Sequence, residues 1–219
     1  MKGVFEAENL AINSASPEPD PQKRPASILV HACCGPCSII PLKTLLKGEA
    51  QVSGFFYNPN IHPYSEFKKR LEAVKTLAGY LSVDVICNDD YRPSGFINGM
   101  KASVSPGLRY PQKGERCSYC YLVRLEETAK AAKANGFDAF SSSLLYSKYQ
   151  DHEEVKRLGV DLGEKYGIIF YYEDFRAFWQ EGVEESRNMG LYRQKYCGCI
   201  YSRLERHSEK NKARKAVAG

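Results

Sequence analysis

Seven of the eight cysteines in this 219-residue chain fall into three groups: Cys33, Cys34 and Cys37; Cys117 and Cys120; Cys197 and Cys199. Thiols grouped this way bind metals and clusters or exchange electrons as disulfides. Cys34-Gly35-Pro36-Cys37 has the spacing of a thioredoxin-type redox pair. Against that reading, Cys33 turns the pair into a triplet, and four more grouped cysteines lie downstream. Cys117 and Cys120 are spaced to share one face of a helix, where they can hold one metal or one cluster. A four-thiolate zinc site and an iron–sulfur cluster fit that spacing equally well. In Cys197-Gly198-Cys199 the sulfurs are too close for an ordinary structural cross-link. They suit a shared metal or a strained, reducible disulfide. Seven grouped thiols exceed the four ligands of one cluster, which predicts two neighbouring centres: a cluster, and a second metal or redox pair. Cys87 stands alone inside an expected strand and reads as a small packed hydrophobe.

Other polar and aromatic residues carry weaker signals. His31 lies inside the first expected strand and reads as a packed core histidine. His62 lies in a loop where it would either touch substrate or remain on the surface. His152 and His207 read as solvated helix residues. Tyr57, Tyr119, Tyr121, Tyr192 and Tyr196 lie close to the motifs, where an aromatic face can stack on a base.

The elements that must position these groups alternate. Ser27–Ala32 is an apolar strand that runs into CCGPCS and a helix over Ser38–Lys47. Gln51–Tyr57 is a second strand, ended by Asn58-Pro59-Asn60, and apolar spacing from Phe67 to Ala78 predicts a helix over Tyr64–Leu81. Val83–Cys87 is a third strand, and residues 88–116 read as loop. A helix opening at Cys117 runs to Asn135, closed by Gly136. Strands at Phe137–Ser142 and Ile168–Tyr172 flank a helix over Asp151–Tyr166, and helical segments follow at Phe175–Arg187 and Ile200–Lys212. This alternation predicts a single α/β domain with a mainly parallel, Rossmann-like sheet and helices on both faces. Ligands of such sheets bind beyond the carboxyl ends of the strands, the edge where CCGPC and YNPNIHP fall. Residues 1–26, with four of the eleven prolines, read as a flexible leader. The folded domain spans 27–207, and 208–219 form a basic tail.

The net charge of +5 is concentrated at the end: residues 203–219 hold six bases and two acids. A basic tail suits a nucleic acid or is simply solvated. No apolar stretch approaches the ~18 residues that span a bilayer, so a soluble, cytoplasmic protein with reduced cysteines is expected.

Taken in order, HACCGPCS, FFYNPNIHP, GERCSYCYLVRLEETAKAA and GLYRQKYCGCIYS resemble the motifs of the QueH-type epoxyqueuosine reductases. The resemblance covers about Ile28 to Arg206, leaving out the leader and the basic tail. It implies reductive deoxygenation of epoxyqueuosine to queuosine at the wobble position of tRNA, without cobalamin. It also implies a [4Fe-4S] cluster on Cys33, Cys34, Cys117 and Cys120. Cys37, Cys197 and Cys199 would then serve catalysis, either holding a second, mononuclear iron or with Cys197 and Cys199 as a redox-active disulfide. The implied partners are tRNA carrying epoxyqueuosine and an unidentified electron donor, with no membrane. Tyr192, Arg193, His62 and Asp174 are candidate proton donors by position, although Asp174 also suits a helix cap. Two rival classes remain. A zinc-stabilised RNA-binding domain would hold one colourless zinc. An ATP-using tRNA-modifying enzyme would want a glycine-rich phosphate loop after the first strand, where CCGPC stands instead.

Overall fold

A computed structural model describes residues 25–105 and 112–217, with side chains to residue 208. Nearly all of the expected leader lies outside the described residues. Five strands form one sheet: β1 (Ser27–His31), β2 (Gln51–Phe56), β3 (Val85–Cys87), β4 (Ala139–Ser142) and β5 (Ile169–Phe170), in the order β3-β2-β1-β4-β5. Every pairing is parallel. The helices are α1 (Gly35–Leu46), α2 (Tyr64–Leu81), α3 (Pro93–Ala102), α4 (Lys113–Ala134), α5 (His152–Tyr166), α6 (Trp179–Asn188) and α7 (Ile200–Val217).

The alternation of β1 explains why helices cover both faces. Ile28 and Val30 pack with Ile39, Leu42 and Leu45 of α1 and Leu77 of α2. Leu29 points the other way, into a cluster with Leu125 and Ala129 of α4 and Val155 and Leu158 of α5. A strand apolar on both sides belongs at the centre of a parallel sheet. From β1 the chain builds outward in one direction through β2 and β3, then returns to β1's other side with β4 and β5. The crevice beyond the carboxyl ends of β1 and β4 is therefore the switch point where such sheets bind ligands.

Several boundaries differ from the sequence expectation, each for a local reason. α1 begins at Gly35 rather than Ser38, because CCGPC is the start of the helix and not a loop before it. The Cys34 sulfur caps it by accepting from the Cys37 N–H at 3.4 Å, and Pro36 fits the first turn, where its missing N–H costs nothing. Gly35 is required by closeness: a Cβ there would meet the Ala73 carbonyl oxygen of α2 at 2.6 Å. α3 occupies a stretch that reads as loop, again with proline in its first turn. α4 begins at Lys113, so Cys117 and Cys120 lie a turn inside the helix and not at its opening. α7 continues to Val217, carrying the backbone of residues 208–217 in helix. No helix among the described residues is long and apolar enough to cross a membrane.

Candidate active site at the switch point

β1 delivers the first cysteine group to the crevice. The Cys33 N–H donates to Ser143 Oγ at 2.9 Å, tying the end of β1 to the turn that follows β4. The sulfurs of Cys33, Cys34 and Cys37 all lie within 4.8 Å of one another, with Cys33 and Cys34 3.8 Å apart, a grouping that can hold a metal ion. Gln194 Nε2 reaches from the chain's last third to the sulfurs of Cys34 (2.8 Å) and Cys37 (3.4 Å). Hydrogen bonds from the other two thiols hold Cys33 well below the usual thiol range, while burial pushes Cys34 up.

The second and third groups face the same space. Cys33, Cys37, Cys117, Cys120, Cys197 and Cys199 all line one cavity of about 550 Å³, and Cys34 is buried behind Cys33. Cys197 and Cys199 have their sulfurs 3.8 Å apart, each within hydrogen-bond reach of Ser202 Oγ. The hydrogen bond from Cys199 holds Cys197 below the usual thiol range. Burial pushes Cys120 up to about 11 and raises Cys117 as well. Lacking the free N–H groups of a helix opening, this pair depends on another positive charge to ionise.

That charge is present. Arg70, Arg116, Arg124, Arg193, Lys195 and Arg206 line the cavity, and no carboxylate among the described residues does. Arg124 is 4% exposed, and among the described residues it makes no ion pair with a carboxylate. It donates to the Cys120 carbonyl at 3.1 Å, and its charge is felt by Cys33, Cys120 and Cys197, one sulfur from each group. A buried guanidinium without a carboxylate is costly unless an anion faces it. Thiolates, or the negatively charged thiolate-bound centre they would form, supply that anion. The donor set and its charge balance therefore fit a metal or cluster.

The Cys197–Cys199 loop is clamped by Arg70 of α2, which is 2% exposed. Its Nη1 donates to the Cys197 carbonyl and its Nη2 to the Tyr196 carbonyl, both at 2.9 Å, while Nε donates to Glu66 at 2.8 Å. Tyr192 donates in turn to the second Glu66 oxygen. His62 donates its backbone N–H to the Gly198 carbonyl at 2.8 Å, and the Tyr196 hydroxyl donates to the His62 carbonyl. Gly198 has φ +123°, a backbone that side chains rarely adopt, and a Cβ there would crowd Arg70 and Ile61 at 3.1 Å.

Several expected roles change. His62 does not line the cavity: its Nδ1 is paired with the Tyr91 hydroxyl at 3.0 Å, and its backbone holds the cysteine loop. Asp174 caps the following turn by accepting from the Arg176 N–H at 3.0 Å and ion-pairs with that side chain, so it is not a proton donor at the cavity. Tyr192 is engaged with Glu66, whereas Arg193 does line the cavity. Of the five tyrosines near the motifs, Tyr121 and Tyr196 line it and Tyr57, Tyr119 and Tyr192 do not. His152 is buried rather than solvated, with Nε2 3.0 Å from the Tyr172 hydroxyl. His207 is exposed, and Cys87 packs at the edge of a core cluster. Arg70, Arg116, Arg124, Tyr149 and Trp179 escaped the sequence reading. The period through Cys117 and Cys120 does land next on Arg124, which was the available signal.

His31 is a core histidine, as expected. Its Nε2 faces the Tyr57 carbonyl at 3.2 Å, which can only accept, so Nε2 carries the proton and Nδ1 accepts from Ser142 Oγ at 3.1 Å. Burial, then the Arg124 charge, bring it down to about 4. The unfolded chain therefore binds the extra proton first, and folding stability falls as pH drops from about 6.5 to about 4. His31→Gln, neutral throughout, is expected to flatten that slope by an amount on the order of 3 kcal/mol. Urea midpoints at the two ends of that pH range measure it, and equal slopes in both proteins would contradict it.

Comparison with known proteins places this geometry. The family described as "Epoxyqueuosine reductase QueH" matches residues 28–205. The chain is similar to the Epoxyqueuosine reductase QueH of Thermotoga maritima, 36% identical over 84% of this chain and 93% of that one. It is 33% identical to that of Dehalococcoides mccartyi over 84% of this chain and 96% of the relative. Among solved structures, the zinc inhibited form of teicoplanin deacetylase Orf2 superposes with a TM-score of 0.42 at 12% identity, over 86% of this chain and 94% of that one. That likeness is too loose to bear on function. With all three cysteine motifs inside the matched residues, this chain belongs to the family of epoxyqueuosine reductases QueH.

Proposed function

We propose that this chain reduces epoxyqueuosine to queuosine at the wobble position of tRNA, in the cytoplasm and without cobalamin. The observation that carries the reading is the convergence of three cysteine groups on one cavity lined, among the described residues, by six cations and no carboxylate. Cys33, Cys34, Cys117 and Cys120 are proposed to hold a [4Fe-4S] cluster, and Cys37, Cys197 and Cys199 a second, mononuclear iron beside it. When bound, these groups supply single electrons and a Lewis acid for a leaving oxygen.

The chain's own residues do the rest. Two electrons and two protons turn an epoxide into an alkene and water, so negative charge develops on the departing oxygen. The cationic lining favours that charge inside a partly desolvated space. Arg193, Lys195 and Arg206 are exposed and suit RNA phosphates. Arg70 and Arg124 are buried and hold the sulfur side of the site.

The test is anaerobic incubation of the purified chain with a reductant and tRNA carrying epoxyqueuosine, followed by nucleoside analysis. Queuosine should replace epoxyqueuosine at the wobble position. Unchanged epoxyqueuosine with iron-loaded protein would contradict the proposal.

A further inference from the structure

An aromatic ladder climbs one wall of the cavity. Tyr146, 3% exposed, stacks on Trp179 at 5.1 Å and 23°, and its hydroxyl donates to the Trp179 carbonyl at 2.8 Å. Trp179 in turn meets Tyr149 edge-on, at 5.5 Å and 81°. Tyr149 is 78% exposed. An edge contact leaves ring faces open, and a large ring held in water forgoes the burial that would otherwise stabilise it.

The loop that presents Tyr149 is tied down on both sides. Its own N–H donates to Ser147 Oγ at 3.3 Å. The Tyr121 hydroxyl donates to Gln150 at 2.9 Å and accepts from the Asp151 N–H at 3.2 Å. The backbone that carries the ring is thus held, and the exposed ring stands at the mouth of a cavity whose charged lining among the described residues is entirely cationic. Planar ligands with negative charge attached are what such a mouth selects, and a base within a polynucleotide is that ligand.

We infer that Tyr149, backed by Trp179, is a stacking platform for a nucleobase adjoining the nucleoside that enters the cavity. The inference rests on the proposed tRNA substrate and adds a binding residue to it. Stacking needs the ring face and not the hydroxyl, so Tyr149→Phe should bind like the parent chain. Tyr149→Ala should raise Kd and KM for the RNA between about fivefold and about 150-fold.

Trp179 is the chain's only tryptophan and serves as the reporter. Titration of the iron-loaded chain with an unmodified anticodon stem-loop RNA should quench its fluorescence, with midpoints displaced in Tyr149→Ala and restored in Tyr149→Phe. KM for tRNA carrying epoxyqueuosine should follow the same order. Equal Kd and KM in the parent chain and Tyr149→Ala, or an equal loss in Tyr149→Phe, would overturn the platform. A parent chain that binds the RNA through Tyr149 but yields no queuosine would overturn the proposed reaction instead.

Discussion

Cys33→Ser is expected to lose bound iron and, with it, turnover of epoxyqueuosine in tRNA. Cys33 belongs to the first group, its sulfur within 4.8 Å of the other two and held well below the usual thiol range by their hydrogen bonds. It also faces the cavity alongside Cys117, Cys120, Cys197 and Cys199. A serine oxygen is shorter, harder and protonated at neutral pH, so the position ceases to be a thiolate ligand. Changes in the groups around a metal's ligands already cost ~10–100-fold in affinity or activity, and loss of a ligand should exceed that. The Cys33 N–H bond to Ser143 is a backbone contact and survives the change, so the fold should persist. Cys87→Ser, at the edge of a separate core cluster, is the matched control and should retain iron and turnover. Iron analysis and nucleoside digestion check both variants, and full iron in Cys33→Ser would contradict the ligand assignment.

Arg70→Ala is expected to produce the largest loss of stability. One buried guanidinium bonds Glu66 and the carbonyls of Tyr196 and Cys197, bridging α2 to a loop more than a hundred residues away in sequence. Removing it leaves the Glu66 carboxylate, 7% exposed, with the Tyr192 hydroxyl in place of a cation. Breaking a buried pair from one side typically costs ~3–5 kcal/mol, because an uncompensated charge stays behind. The Cys197–Cys199 loop loses two of its anchors, so iron content should fall as well. Arg70→Lys restores the charge but not the planar fork, and should recover part of the stability while leaving the loop loosened. Urea midpoints and iron counts separate the two effects. A loss below about 1 kcal/mol with full iron would contradict the clamp.

Much of the site was legible because its chemistry resides in residue type and spacing. Three closely spaced cysteine groups announced a thiolate centre, and the alternation of β and α units put CCGPC at the sheet's functional edge. Arg70 and Arg124 were not legible, since an arginine on a helix normally points to solvent. Their burial rests in large part on groups distant in the chain, the Tyr196 and Cys197 carbonyls for Arg70 and the Cys33 and Cys197 sulfurs for Arg124. His152 misled for the same reason, because its partner Tyr172 lies across α5 on the segment after β5. α3 was hidden by Pro93, which reads as a breaker but is accommodated in a helix's first turn. Net charge also misdirected: counted along the chain it belongs to the tail, whereas folding gathers six cations around one cavity.

Counting metal in the wild-type chain tests the central claim, two neighbouring centres held by seven cysteines. Anaerobically purified protein should be brown and contain about five irons and about four acid-labile sulfides per chain, with about one iron lost in Cys197→Ala. A colourless chain holding zinc would contradict the account, as would about four irons of which Cys197→Ala loses none.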